Sequence, residues 1–290
     1  MSDRHWRQNV RVFEGATIPS DIKRYAAIVS YDGSGYCGFQ RQKHSHTVQA
    51  ELERALSYVA GEPVSVSSAG RTDKGVHGDY QVIHFDSQAV RSNQNWIRGG
   101  NSKLPDNVNI RWAGQVSSKF HSRFSALSRT YRYVIANTPT RPAILANFVT
   151  WVRGELDIRS MAKSCHYILG ERDFSCFRGS ACQSQSTYRR VISANIFDYD
   201  DLLVFEIKAN AFLLHMVRNI MGALLEVGFG KRSANWISQL IEGGDRSQAA
   251  ATAAPNGLFL VGVDYPTIFG LPVFRAGPIF LNARLGVPVY

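Results

Sequence analysis

Strand and helix patterns follow one another along this chain in an order that few folds can accommodate. Residues 25–31 (YAAIVSY) are rich in strand formers and end at an Asp-Gly turn signal. Residues 48–59 carry apolar side chains at helical spacing, with Thr47 as a candidate cap and Gly61 as a candidate end. Further strands are predicted at 64–69, 80–86 and 108–116, and a helix at 93–101. The order β-α-β-β-α-β is the split βαβ arrangement of a ferredoxin-like unit.

The second half of the chain repeats this theme. Its predicted strands lie at 128–136, 148–152, 189–199, 202–208 and 258–265, and its predicted helices at 157–169, 212–228 and 233–241. We therefore expect an α+β protein of two ferredoxin-like halves that share one mainly antiparallel sheet, with a central cleft where they meet. The predicted divisions are a basic N-terminal arm at 1–22, a first half at 23–142 and a second half at 143–290.

The charge balance restricts the partners of the chain. The 33 lysines and arginines exceed the 23 aspartates and glutamates, and the net charge of +10 favours an anionic partner such as a nucleic acid or a membrane surface. Charge alone does not choose between these two. Hydrophobic residues make up 44% of the chain and aromatic residues 11%, which is too apolar a composition for a disordered chain.

Export, membrane spans and zinc binding are not predicted. The N-terminal residues are charged throughout and lack the apolar stretch of a signal peptide. The apolar segment 211–227 is interrupted by His215, Arg218 and Glu226 and is too short to span a bilayer. The four cysteines stand singly, without the spacing of a zinc site, so we expect reduced thiols and no metal. These features indicate a soluble, cytoplasmic protein.

The polar loop at 70–78 (GRTDKGVHG) is the most informative segment for chemistry. Its three glycines permit a tight backbone path, and Arg71 and Asp73 could both reach a ligand. A charged surface turn is the simpler interpretation of such a loop. A metal site would need Asp73, His77 and His84 to converge, with no carboxylate cluster nearby to help. A phosphate loop is disfavoured because the segment runs into a strand and lacks the required glycine-lysine pattern.

The segment 120–133 (FHSRFSALSRTYRY) interleaves aromatic rings with the guanidinium groups of Arg123, Arg129 and Arg132. RNA fits such a segment, because unstacked bases lie on aromatic faces while phosphates bind arginine. The alternative is an amphipathic strand whose Tyr131 and Tyr133 pack in the core. The segment alone does not decide between them.

Arg218 lies beside the apolar face of the predicted helix at 212–228. A partly buried arginine needs an anionic partner. That partner could belong to a single internal ion pair, or it could be a catalytic carboxylate that Arg218 holds ionised and aimed. The helix alone leaves both possibilities open.

Taken in order, these motifs resemble those of the bacterial tRNA pseudouridine synthase A family. The shared motifs are YDGSGYCGFQ at 31–40, TVQ at 47–49, GRTD at 70–73, VH at 76–77, FHSRF at 120–124, RTYRY at 129–133, DFS at 173–175, HMVRNI at 215–220, GLFL at 257–260 and VDYP at 263–266. The resemblance extends from about residue 24 to residue 280, and the combination is far more specific than any single motif.

The resemblance implies a pseudouridine synthase fold and conversion of uridine to pseudouridine in the anticodon stem-loop of tRNA, at tRNA positions 38 to 40. It also implies a homodimer that needs no cofactor and no metal and that does not act at a membrane. One departure from the family pattern is Lys74, which stands where a small residue is usual and could add affinity for phosphate.

The resemblance also implies roles for individual residues. Asp73 corresponds to the catalytic carboxylate, Arg218 to its ion-pair partner, and Tyr131 to the ring that packs on the target uracil and assists proton removal. Arg71 would fill the space of the flipped nucleotide, and Leu258 would cover the other face of the base. Arg123 and Arg129 are predicted to bind the substrate as well, because both belong to the arginine-rich segment.

Two functions of other classes compete with an isomerase. A noncatalytic RNA-binding protein would keep the basic groove and the aromatic rings, but it would have no need for a carboxylate facing a polyanion. A metal-dependent nuclease would need clustered carboxylates, which the sequence does not contain.

Overall fold

The computed structural model describes residues 19–199, 201–274, 277–281 and 288–289, so most of the predicted basic arm at 1–22 lies outside the described residues. The first elements are β1 (Lys23–Tyr31), α1 (Val48–Ala60), β2 (Ser67–Ser68), β3 (His77–Ser87), α2 (Asn93–Asn101) and β4 (Val108–Gln115). The later ones are β5 (Ser128–Ala136), β6 (Thr150–Trp151), α3 (Ile158–Cys165), β7 (Gly170–Asp173), β8 (Tyr188–Tyr199), β9 (Leu202–Ala209), α4 (Met216–Gly228), α5 (Trp236–Gly243) and β10 (Leu258–Asp264).

These strands form one sheet in the order β4-β1-β3-β10-β5-β9-β8-β7, with β2 paired to β3 and β6 to β5. All neighbours are antiparallel except β3 with β10 and β5 with β6. The prediction of a shared, mainly antiparallel sheet is therefore confirmed. The two parts of the sheet join through a short parallel contact, in which Phe259 pairs with His77 and Leu260 with Gly78.

The same strand order occurs on both sides of this junction. On one side the sheet runs β4-β1-β3-β2, and on the other it runs β10-β5-β9-β8. Each is the 4-1-3-2 order of a split βαβ unit if β5 is counted as the first strand of the second unit. The predicted division of the chain between residues 142 and 143 stays a prediction.

The strand predicted at 64–69 is reduced to the two residues of β2. The backbone amides before it bond to side chains of α1 instead of to a strand, with Val64 donating to the Ser57 hydroxyl and Val66 to the Glu53 carboxylate. The strand predicted at 148–152 is likewise reduced to the two residues of β6. The four residues of β7 (GERD) were not predicted, because they are polar and do not alternate with apolar residues.

Local backbone conformation and capping side chains set where the helices begin and end. α1 ends at Gly61, which has the left-handed conformation (φ 75°) that a helix end favours. Its predicted cap at Thr47 makes no side-chain hydrogen bond. α4 begins at Met216 and not near 212, because His215 before it is also left-handed, with φ of 62°. α3 begins after Asp157, whose carboxylate accepts from the Ser160 amide at 2.9 Å.

Alternation along β5 sets which side chains reach the site. Tyr131 and Tyr133 lie in the same buried cluster as the apolar face of α4, whereas Val134 and Ala136 pack in a cluster on the opposite face of the sheet.

All four cysteines lie within the described residues and are unpaired. No helix of the described residues has the length and apolar character to cross a membrane.

Candidate active site

The loop between β2 and β3 carries Asp73, and it rests on the segment that follows β1. The Phe39 amide donates to the Thr72 carbonyl at 3.0 Å, and the Thr72 hydroxyl lies 2.8 Å from the Tyr31 hydroxyl. Gly38 lies so close to the Asp73 loop that a Cβ there would be 2.8 Å from the Thr72 carbonyl oxygen. The loop is therefore fixed on one side, which leaves the Asp73 side chain to face the second half of the sheet.

Asp73 pairs with Arg218 in the first turn of α4. Arg218 Nη1 donates to Asp73 Oδ2 at 3.2 Å, and Arg218 Nε donates to the Ala253 carbonyl at 2.9 Å. His215 Nε2 lies 3.5 Å from the same oxygen, Asp73 Oδ2. The side chains of Asp73 and Arg218 are 20% and 14% exposed, so bulk water screens the pair only in part.

An open cavity of about 450 Å³ lies over this ion pair. Its walls come from both halves of the sheet and from the connecting loops: Ser34, Asp73, Lys74, Gly75, Asn147, His215, Arg218, Pro255 and Asn256. A cavity with a few convergent polar groups and a partly shielded ion pair is a candidate active site.

Tyr131 is buried and is not among the residues that line the cavity. Its side chain is mostly buried, with the residue 8% exposed, and its ring meets the edge of Phe212 at a centroid distance of 5.1 Å. Burial, with smaller contributions from Tyr31 and Asp73, raises the pKa of Tyr131 well above its usual value. The phenol is therefore neutral at physiological pH. Its hydroxyl has no hydrogen-bond partner among the residues that the structure describes.

Leu258 is buried in the same core cluster as Tyr131 and does not line the cavity. It begins β10 and pairs with Tyr133, while Tyr131 pairs with Leu260 two residues further along the strand. The structure therefore brings Asp73 and Arg218 into direct contact and places Tyr131 and Leu258 in the adjoining core.

The three predicted substrate arginines have different surroundings. Arg71 is exposed and forms no hydrogen bond or ion pair within the described ranges. Arg123 is exposed, with its guanidinium 5.6 Å from the centre of the Phe124 ring. Arg129 is buried, at 8% exposure.

Arg129 donates hydrogen bonds to the backbone carbonyls of three separate segments. They reach Ala69 at 2.9 Å, Arg123 at 2.7 Å and Asn210 at 2.8 Å. Arg129 thus ties the start of the Asp73 loop to the 121–127 segment and to the connection before α4. Burial lowers the pKa of its guanidinium.

The histidines considered for a metal site lie in separate hydrogen-bond networks. His77 Nδ1 accepts from the Gly33 amide at 3.1 Å, and its Nε2 lies 2.9 Å from the Asn147 carbonyl. His84 Nδ1 lies 2.9 Å from the Ser122 hydroxyl. Both rings are buried, and burial lowers the pKa of each. Each ring therefore supports the backbone of the segments that it contacts.

The sequence does not mark four of the cavity residues as site residues. Ser34, Asn147, Pro255 and Asn256 reach the wall from three loops far apart in the chain. The Gly-Ser-Gly run around Ser34 was recognised only as part of a motif, and nothing in the sequence around Asn147 points to a site. In the sequence His215 stands out only as an interruption of the apolar segment 211–227, and its proximity to Asp73 depends on the fold.

The arrangement suits a carboxylate that acts on a bound molecule. Arg218 donates a hydrogen bond to Oδ2 and His215 Nε2 lies 3.5 Å from the same atom, while Oδ1 has no hydrogen-bond partner among the described residues. A carboxylate of this kind can add to an electrophilic carbon or stabilise positive charge on a sugar.

Comparison with known proteins points the same way. Residues 27–125 and 165–266 match the family described as tRNA pseudouridine synthase. The protein named tRNA pseudouridine synthase A from Shewanella amazonensis is 50% identical over 258 residues, covering 89% of this chain and 99% of that protein. The protein of the same name from Vibrio campbellii is 49% identical over 262 residues, covering 90% and 99%. The match to the solved structure titled "Crystal Structure of a Cbf5-Nop10-Gar1 Complex" covers 82% of this chain and 49% of that one, at 10% identity and a TM-score of 0.32.

Proposed function

This chain belongs to the bacterial tRNA pseudouridine synthase A family, and we propose that Asp73 is the carboxylate through which it converts uridine to pseudouridine in tRNA. The observation that carries the proposal is the Asp73–Arg218 ion pair, which lies in an open cavity between the two halves of the sheet. We further propose that the target uridines lie in the anticodon stem-loop, at tRNA positions 38 to 40, as the family resemblance implies.

The reaction breaks the N1–C1′ glycosidic bond, turns the uracil and joins C5 to C1′. The proton on C5 is lost and N1 gains one, so the product is an isomer of the substrate and no oxidant or reductant is consumed. Asp73 would either add covalently to the nucleoside or stabilise the positive charge that develops at C1′. Arg218 would keep the carboxylate aimed during both bond changes.

Tyr131 and Leu258 would retain the detached uracil while it turns. Loss of the free base is the hazard of this isomerisation, and a ring and an aliphatic side chain on its two faces would prevent it. In this proposal burial keeps Tyr131 a neutral phenol, so its hydroxyl acts as a relay: the oxygen takes the C5 proton as the phenol's own proton passes to water.

Recognition of tRNA would use the exposed cations around the cavity. The target base must leave its stack, which costs a few kcal/mol and requires compensating contacts from the protein. Arg71 is exposed and unpaired among the described residues, so it is free to fill the space of the flipped nucleotide. Lys74 on the cavity wall and Arg123 beside Phe124 would bind phosphates.

Three further properties belong to the proposal. We expect the protein to work as a homodimer, to act in the cytoplasm and to need no organic cofactor or metal. Sedimentation equilibrium of the purified protein tests the dimer, and turnover in the presence of EDTA tests the requirement for a metal. A nuclease that depends on a metal would lose activity in EDTA, whereas the proposed isomerase would not.

Asp73→Asn tests the central assignment. The amide keeps the size of the side chain but removes the anion, so we expect no detectable pseudouridine by carbodiimide mapping of tRNA, with tRNA affinity and the circular-dichroism spectrum retained. Asp86→Asn is the matched control, because Asp86 forms a comparable pair with Arg24 away from the cavity. If the wild-type protein bound tRNA but formed no pseudouridine, it would be a binding protein. Substantial turnover by Asp73→Asn would exclude Asp73 as the catalytic group.

A further inference from the structure

The two oxygens of the Asp73 carboxylate have different surroundings. Arg218 Nη1 lies 3.2 Å from Oδ2, and His215 Nε2 lies 3.5 Å from the same atom. Oδ1 has no hydrogen-bond partner among the residues that the structure describes. A second nitrogen beside the same oxygen restricts the carboxylate plane further, because the single hydrogen bond from Arg218 still allows rotation about it.

His215 is placed beside Asp73 by an unusual backbone. It has φ of 62° and ψ of 1°, in the left-handed region that a β-carbon disfavours. It precedes the first residue of α4, and its carbonyl accepts from the Asn219 amide at 2.8 Å, which starts the helix. Strained residues of this kind concentrate at functional sites, where the surrounding structure holds them.

The imidazole of His215 also lies against a closely fitting neighbour. A Cβ at Gly179 would lie 3.1 Å from His215 Nδ1 and 3.1 Å from the Leu214 carbonyl oxygen. The Gly179 amide donates to that carbonyl at 2.8 Å. The backbone therefore supports the ring on its Nδ1 side, and Nε2 is directed at Asp73.

We propose that His215 is a positioning residue that acts with Arg218 to hold Asp73 Oδ2, so that Oδ1 is the oxygen presented to the nucleoside. This inference rests on the proposed function of Asp73. It adds a second group to the ion pair and assigns the reacting oxygen.

The competing explanation is that His215 serves only the backbone turn before α4. The two explanations predict opposite rankings of activity among three substitutions of His215. Asn and Gly adopt the left-handed conformation most readily, so a backbone role predicts that His215→Asn and His215→Gly retain activity best. Gln can place its amide nitrogen near the position of Nε2, whereas Asn reaches only as far as Nδ1. A role through Asp73 therefore predicts that His215→Gln retains activity best.

The experiment measures single-turnover pseudouridine formation and tRNA affinity for the wild-type protein, the three His215 variants and Asp73→Asn. We expect the rate to fall less than about 10-fold in His215→Gln and about 100-fold in His215→Asn and His215→Gly, with affinity within twofold of wild type. Equal rates in the three His215 variants, or higher rates in His215→Asn and His215→Gly than in His215→Gln, would overturn the proposal.

A second measurement does not depend on whether the His215 variants fold. The ¹⁵N resonance of His215 Nε2 is compared between the wild-type protein and Asp73→Asn, and we expect it to shift when the facing carboxylate becomes an amide. An unchanged resonance would refute the contact. Failure of the proposed function is recognised separately, since it would appear as activity in Asp73→Asn or as no activity in the wild-type protein.

Discussion

Arg218 Nη1 and Asp73 Oδ2 lie 3.2 Å apart and join two residues that are 145 positions apart in the chain. Asp73 belongs to the loop before β3, and Arg218 belongs to α4, so this ion pair crosses the junction between the two parts of the sheet. Arg218 is itself fixed by its Nε bond to the Ala253 carbonyl. The guanidinium thus uses two different nitrogens, one to anchor itself and one to aim the carboxylate.

Arg218→Lys tests whether both contacts of the guanidinium, to the Ala253 carbonyl and to Asp73, are needed. A lysine keeps the charge but has a single nitrogen, so it cannot satisfy Ala253 and hold Asp73 in the same geometry. We expect the rate of pseudouridine formation to fall by about 10² to 10³-fold, with tRNA affinity little changed. Arg159→Lys on the exposed face of α3 is the control and should match the wild-type protein. A rate in Arg218→Lys equal to that of the control would show that charge alone suffices.

Arg129→Lys separates a structural role from the substrate-binding role predicted for this residue. A lysine cannot reproduce the hydrogen bonds to Ala69, Arg123 and Asn210, so we expect the free energy of unfolding to fall by about 2 to 3 kcal/mol in chemical denaturation. Arg123→Lys makes the same chemical change at an exposed site and should leave stability unaltered. If Arg129→Lys instead weakened tRNA binding at unchanged stability, the substrate-binding role would be correct.

The sequence indicated most of the fold because its strand and helix patterns are local. β5 and α2 have the predicted bounds, and the predicted alternation of elements yields the observed sheet. The candidate site could not be predicted from local patterns in the same way. From its own residues the Asp73 loop favours a charged surface turn, and its pairing with Arg218 comes from the family resemblance. Local sequence carries no information about which distant side chain supplies the counter-charge.

Burial explains the remaining differences between expectation and structure. Arg129 and Tyr131 belong to the same segment, 120–133, as the exposed Arg123 and Phe124, but alternation along β5 and cover from neighbouring segments place both inside the protein. The depth of a side chain depends on those neighbours, which a single motif does not specify. His215 is the clearest case, because its proximity to Asp73 follows from one left-handed residue before α4.

Gly38→Ala and Gly61→Ala separate backbone strain from displacement of the Asp73 loop. Both glycines have positive φ, 95° and 75°, so alanine at either costs about 1 to 2 kcal/mol of stability. A Cβ at Gly61 meets nothing within 4 Å, whereas one at Gly38 lies 2.8 Å from the Thr72 carbonyl oxygen. We expect both variants to be less stable and only Gly38→Ala to lose turnover as well. Equal turnover in the two variants would show that the loop tolerates this displacement.

His84 should make the protein less stable in acid. Its ring is buried at 6% exposure beside Ser122 and His121, and burial lowers its pKa to about 3. The unfolded chain has the ordinary histidine pKa near 6.5, so between about pH 6.5 and 3 the unfolded state binds a proton that the folded state does not. Stability from this group is therefore complete above pH 6.5 and falls by about 1.4 kcal/mol per pH unit as the pH decreases.

His84→Asn removes the ring that binds this proton in the unfolded state, and it keeps a hydrogen-bonding group near the position of Nδ1. We expect the variant to be less stable than the wild-type protein at pH 7, because a buried ring is lost, but to lose less stability on acidification. His77 and His121, whose pKa values burial also lowers, and carboxyl groups whose pKa values hydrogen bonds lower, such as Glu62 and Asp157, supply the slope that remains. Denaturant unfolding at several pH values between 4 and 7 measures both slopes. Parallel slopes for the two proteins would mean that His84 is protonated in the folded state and that its burial does not control acid stability.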